Sequence, residues 1–96
     1  MLTSKQKSYL KSLGNTLDSI VQIGKGGLSE AVVGGTRDAL NARELIKVRV
    51  LPNSLSEPED VIRELAEQTH SELVQVIGRN GLLYKRNQEK PRIELP

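Results

Sequence analysis

Apolar residues follow two rhythms along this chain, one helical and one strand-like. Near the N-terminus, Tyr9, Leu10 and Leu13 share one helical face. They follow Thr3 and Gln6, which have the spacing of a capping box. The pattern predicts a first helix stopped by Gly14, with Ser4, Lys7, Ser8 and Lys11 lining the opposite, basic face. From Leu17 to Ile23 the apolar residues crowd together and read as a strand. That strand empties into Gly24-Lys25-Gly26-Gly27. Leu28 and Val33 bracket Ser29 like a hydrophobic staple around an N-cap, predicting a second helix to about Ala42 or Arg43. Gly34-Gly35 falls inside it, each glycine costing about 1 kcal/mol relative to alanine. Close packing against a neighbour would account for the missing side chains.

From Glu44 to Leu51 the rhythm changes to a period of two. Ile46, Val48 and Val50 alternate with Leu45, Lys47 and Arg49, and Pro52 ends the run. Ser56-Glu57-Pro58-Glu59 announces a third helix, with Ser56 as the cap, Pro58 in the first turn and Glu59 completing a capping box. Val61, Ile62, Leu65 and Ala66 supply its buried face. Two further strands, Glu72 to Ile77 and Leu82 to Arg86, are joined by Asn80-Gly81, read as a tight hairpin turn. Asn87 to Pro96 is expected to be extended. The order α-β-α-β-α-β-β over residues 1–96 predicts a single α/β domain, a four-stranded mixed sheet with helices packed against it.

Composition narrows the chemistry. Phe, Trp and Cys are absent, and Tyr9 and Tyr84 are the only aromatics. The core must be built from Leu, Ile, Val and Ala, disulfides and thiolate sites are excluded, and a sheet paved with stacking aromatics is not available. No apolar run is long enough for a leader or a membrane span, so a soluble cytoplasmic protein is expected. The net charge of +2 conceals an asymmetry. Between Leu55 and Gln75, six acidic residues face Arg63 alone; elsewhere thirteen basic residues outnumber six acidic ones. The basic part is suited to a polyanion.

The candidate site is the glycine loop. A strand that opens through glycines into a helix N-terminus presents bare backbone N–H groups, which attract phosphate, and Lys25 adds a full charge at the tip. The four-residue pattern is common by chance, and Gly78-Arg79-Asn80-Gly81 repeats it with a hairpin as its explanation. Enzyme chemistry has little to stand on. His70 is the sole histidine and sits at the predicted end of the third helix, where a capping role is expected. No nucleotide P-loop is present, and the acids of the third helix have the spacing of a solvated face. We expect no catalysis, cofactor, metal or small-molecule substrate.

Several blocks taken together are more specific. Leu-Thr-Ser-Lys-Gln-Lys-Ser-Tyr-Leu-Lys-Ser-Leu at the N-terminus, the Gly24–Gly27 loop and Glu44-Leu45-Ile46-Lys47-Val48-Arg49 resemble the YhbY family. So do Gln75-Val76-Ile77-Gly78 and Leu83-Tyr84-Lys85-Arg86. That family is the stand-alone bacterial form of the CRM domain (chloroplast RNA splicing and ribosome maturation). The resemblance implies a fold similar to the C-terminal domain of translation initiation factor 3, with an extra helix in front. It implies an RNA-binding protein associated with precursors of the large ribosomal subunit, with ribosomal RNA as partner and ribosomal proteins as further candidates. The loop is similar to the backbone-clamping loop of KH domains and carries over onto Gly24, Lys25, Gly26 and Gly27. Many relatives have Asn where this chain has Gly26. Lys47, Arg49, Arg79, Lys7 and Lys11 complete the expected basic surface, Lys47 and Arg49 otherwise pairing with acids such as Glu44. A monomer without membrane contact is expected. The competing reading is an adaptor whose acidic third helix meets a basic ribosomal protein.

Overall fold

The computed structural model describes residues 2–96, with Met1 outside the described part. The elements run α1 (Ser4–Gly14), β1 (Ser19–Ile23), α2 (Glu30–Arg43), β2 (Leu45–Val50), α3 (Pro58–Thr69), β3 (Glu72–Ile77) and β4 (Asn80–Tyr84). The sheet order is β1-β2-β4-β3; β1 and β2 are parallel and the other pairings antiparallel. Three helices and one mixed sheet in this order are what the hydrophobic rhythm predicts.

Period-two alternation sends each strand's side chains to two different cores. Ile23, Ile46, Val48, Val50 and Leu83 meet Val33 and Leu40 of α2 and Val61, Ile62 and Leu65 of α3. On the other face Leu45, Leu82, Tyr84 and Val74 meet Leu10 of α1, with Ile93 and Leu95 of the C-terminal tail packed against them. The sheet is thus covered by α2 and α3 on one side, and by α1 plus the tail on part of the other.

The ends of the helices confirm some signals and correct others. Thr3 and Gln6 form the full reciprocal capping box, and Ser29 Oγ accepts the Val32 amide at 3.2 Å. The α3 cap is Glu57 rather than Ser56, and no side chain caps it. Pro58 takes the first helical position, where its missing N–H is harmless, and this places the boundary one residue late. Gly14 does not leave α1 through a left-handed conformation, because the C-cap is Asn15 with φ −59°. A Cβ on Gly14 would lie 2.4 Å from a Leu82 methyl, so the glycine lets the helix end settle on β4.

Three further expectations change. The hairpin turn is Gly78-Arg79, with Ile77 opposite Asn80, and Asn80-Gly81 belongs to β4. Gly78 holds φ +58° at the first turn position, the requirement of a type II′ turn. Gly81 is bare because Ile62 of α3 would meet its Cβ at 2.6 Å. The neighbours expected beside Gly34 and Gly35 do not exist, since a Cβ at either would meet nothing within 4 Å. On α1, Tyr9 is 39% exposed, while Lys7 and Lys11 are half-buried on the flank of Leu10 shared with Gly14, not on the opposite face.

Glu44 differs most from expectation. It is fully buried at φ +64°, between α2 and β2, and is not an ion-pair partner for Lys47 or Arg49. Its carboxylate accepts the Asn87 amide at 2.7 Å and the Arg92 and Ile93 amides at 2.6 Å each. Burial alone would raise its pKa. The three amides and the Arg86 charge outweigh burial and leave the carboxyl below its ordinary value.

Candidate nucleic-acid interface

Parallel pairing of β1 with β2 and antiparallel pairing of β4 bring three chain reversals to one end of the sheet. These are the glycine loop after Ile23, the segment after Val50 and the Gly78-Arg79 turn. Leu51 ties them together. Its amide donates to the Ile23 carbonyl at 2.8 Å, and its carbonyl accepts the Arg79 guanidinium at 3.3 Å. The Val50 amide donates to the Arg79 carbonyl at 2.8 Å. A Cβ on Gly24 would lie 3.4 Å from Asn53 Oδ1 and 3.6 Å from a Leu51 methyl, so the base of the loop rests on the β2–α3 connection.

Above that base the loop is open. The Gly27 amide donates to the Gly24 carbonyl at 3.1 Å, closing a turn, and Gly27 has φ +66°, which favours glycine. The amides of Lys25 and Gly26 make no hydrogen bond among the described residues, and a Cβ on Gly26 or Gly27 would meet nothing within 4 Å. Lys25 is exposed. Immediately after the loop, Ser29 caps α2, whose first-turn amides of Glu30 and Ala31 are left without backbone partners. The loop therefore aims N–H donors and the positive end of a 14-residue helix at one patch of solvent. Glu30 is the acidic residue of that first turn.

The cations predicted beside the loop divide into two groups. Arg49 is exposed at the loop end of β2, in register with Gln22 of β1 and Asn80 of β4, and Arg79 occupies the adjacent turn. Lys47 is half-buried two residues earlier on the same face of β2. None of these forms an ion pair among the described residues, where the recorded pair is Arg63–Glu59 at 3.6 Å. Lys7 and Lys11 lie on α1, over the covered half of that face, and join the group only through the end of their helix. Gly14 and Asn15 line the same depression as Lys47.

Two other cations have structural work. Arg37 donates to the Gln68 carbonyl at 3.0 Å and Lys85 Nζ to the Thr69 carbonyl at 3.1 Å, both at the C-terminus of α3. That helix has no basic residue in its last turn. Charges from α2 and from the residue after β4 thus neutralise the negative end of its dipole, a pairing no local pattern announces. His70 closes α3 through its backbone, at φ 54°, its amide donating to the Ala66 and Glu67 carbonyls.

Sequence reasoning did not find Asn53, Leu51, Gln75 or Asn80 at this end of the molecule. Asn53 lies in a connection without periodicity, and Leu51, read as the last residue of the alternating run, falls just past the end of β2. Gln75 is turned toward the Lys47 face by a bulge between Leu73 and Gln75 that alternation cannot reveal.

Comparison with known proteins places the chain in a family. Residues 2–85 match the CRS1 / YhbY (CRM) domain. The chain is 46% identical over its full length, and the full length of the relative, to a Bacillus subtilis protein named a probable RNA-binding protein, YqeI. It is 38% identical to a Haemophilus influenzae protein named RNA-binding protein, covering 99% of this chain and 95% of the relative. The solution structure of the Staphylococcus aureus protein SAV1595 superposes with a TM-score of 0.83 at 49% identity, covering all of both chains.

Proposed function

The chain belongs to the CRS1/YhbY (CRM) domain family, and we propose that it is a non-catalytic RNA-binding protein acting in assembly of the large ribosomal subunit. The Gly24–Gly27 loop grips the sugar–phosphate backbone of precursor ribosomal RNA, while Lys25, Arg49, Arg79 and Lys47 provide the surrounding positive field. Lys7 and Lys11 extend that field along α1. The names of the relatives support RNA as the ligand class. The observation that carries the reading is the pair of unpartnered amides at Lys25 and Gly26, beside a helix N-terminus and free of covering side chains.

Such a site recognises phosphate by charge-assisted hydrogen bonds and needs no general acid, base or nucleophile. Affinity then comes from backbone contacts and counterion release, and falls with salt. Sucrose-gradient fractionation of cell extract tests the assignment. The protein is expected to travel with large-subunit precursors at low salt and leave them at moderate salt. Lys25→Glu is expected to lower affinity for precursor ribosomal RNA about tenfold or more. Migration away from every ribosomal particle, or unchanged affinity in Lys25→Glu, contradicts the proposal.

A further inference from the structure

Beside the glycine loop, the sheet face that carries α1 is left partly uncovered, and a depression of about 150 Å³ opens there. Leu82 forms its floor, Ile77 stands at its rim at 63% exposure, and Asn15, Gln75, Asn80 and Lys47 line the remainder. We infer that this depression receives one unpaired base of a single-stranded RNA segment whose backbone is held at the glycine loop.

The inference rests on the RNA-binding reading above and adds the class of RNA and a second contact point. Three of the residues that line this small cavity carry a carboxamide. The carboxamides of Asn15 and Gln75 make no hydrogen bond among the described residues, and that of Asn80 makes one long contact, 3.4 Å to Ser19 Oγ. A carboxamide presents a donor and an acceptor side by side, the pairing that matches the edge of a base. The apolar floor and rim suit the face of a heterocycle. Lys47 is half-buried here without a carboxylate partner, and no acidic residue lines the depression. A partly desolvated cation in that position calls for an acceptor, which a base carbonyl or the neighbouring phosphate supplies.

Position and shape select the RNA. Asn80 pairs in register with Arg49, and its neighbour Arg79 reaches the Leu51 carbonyl that adjoins the glycine loop. The depression therefore lies about two strand spacings, roughly 10 Å, across the sheet from β1 and its loop. In an A-form duplex the bases are paired and stacked, so none can enter a cavity of this size; an unstacked base can.

Fluorescence anisotropy tests the inference with three probes: a single-stranded oligouridylate, the same strand with abasic sites, and a duplex RNA of equal length. The single strand is expected to bind tightest, with the abasic strand weaker by roughly fivefold, the size of one or two lost hydrogen bonds. Gln75→Ala with Asn80→Ala is expected to weaken the normal strand by a similar factor and to leave the abasic strand and the salt slope unchanged. In the unaltered protein, the side-chain amide resonances of Gln75 and Asn80 are expected to shift on titration with uridine 5′-monophosphate, which removes dependence on how the variants fold. Equal binding of duplex and single strand, indifference to abasic sites, or unmoved amide resonances overturns the inference. If those results appear while Lys25→Glu still weakens binding, the backbone clamp stands and the base site falls. If no RNA binds, both fall.

Discussion

Glu44 is fully buried and bonded to the tail, though no apolar pattern marks it. One buried carboxylate holds three amides of the tail, at Asn87, Arg92 and Ile93, and so fastens Ile93 and Leu95 over the α1-side core. In sequence it is only the first residue of an alternating run. Nothing local distinguishes a buried acid satisfied by distant backbone from a surface acid, because its partners lie 43 to 49 residues away. Glu44→Gln sets an amide donor against a tail N–H and is expected to cost about 2 kcal/mol, the value of hydrogen bonds to a charged group. A lower urea midpoint and faster trypsin cleavage after Arg92 would report it. Because the folded carboxyl lies below its ordinary value of 4.5, its contribution is complete above that pH and is lost as pH falls through the folded value. Acid titration of the unaltered protein is expected to show that loss below about 4.5, and Glu44→Gln is expected to flatten it.

Among the elements, α2 shows most clearly what local pattern can and cannot say. The Ser29 cap and the packing of Leu28 with Val33 against one core are legible because they depend on residues a few positions apart. The reason for Gly34-Gly35 is not legible, and the packing expected there is absent. Gly35 is exposed in a helical conformation with open space around it, so Gly35→Ala is expected to stabilise the protein by about 1 kcal/mol. In a domain of this size that raises Tm by about 4–8 °C, measurable by thermal unfolding. An unchanged or lower Tm would show that the glycine serves the fold in another way. The α3 cap lies one residue, and the hairpin turn two residues, from where the local pattern puts them. Proline and glycine mark where a chain turns, but Pro58 occupies the first helical position itself, and Gly78 with positive φ, not Asn80-Gly81, makes the turn.

Taken whole, the molecule separates its charges across the sheet. The acidic outer surface of α3, with Glu59, Glu64 and Glu67 exposed, lies on the face opposite Lys47 and Arg49. The asymmetry was legible in composition; its division between two faces required the strand order. For a single-stranded ligand each neutralised phosphate contributes about 0.7 to the salt slope, so Arg49→Gln is expected to reduce the slope by about that amount. Charge reversal at Glu59, Glu64 and Glu67 together is expected to leave it unaltered. A larger effect from α3 than from Arg49 would favour the adaptor reading. The clamp itself is tested most directly by following backbone amides of isotope-labelled protein during titration with a fragment of large-subunit ribosomal RNA. The account predicts that the Lys25 and Gly26 amide resonances move downfield early and saturate together, as unpartnered donors acquire phosphate acceptors. Resonances of Lys25 and Gly26 that stay in place while another surface responds to the RNA would contradict it.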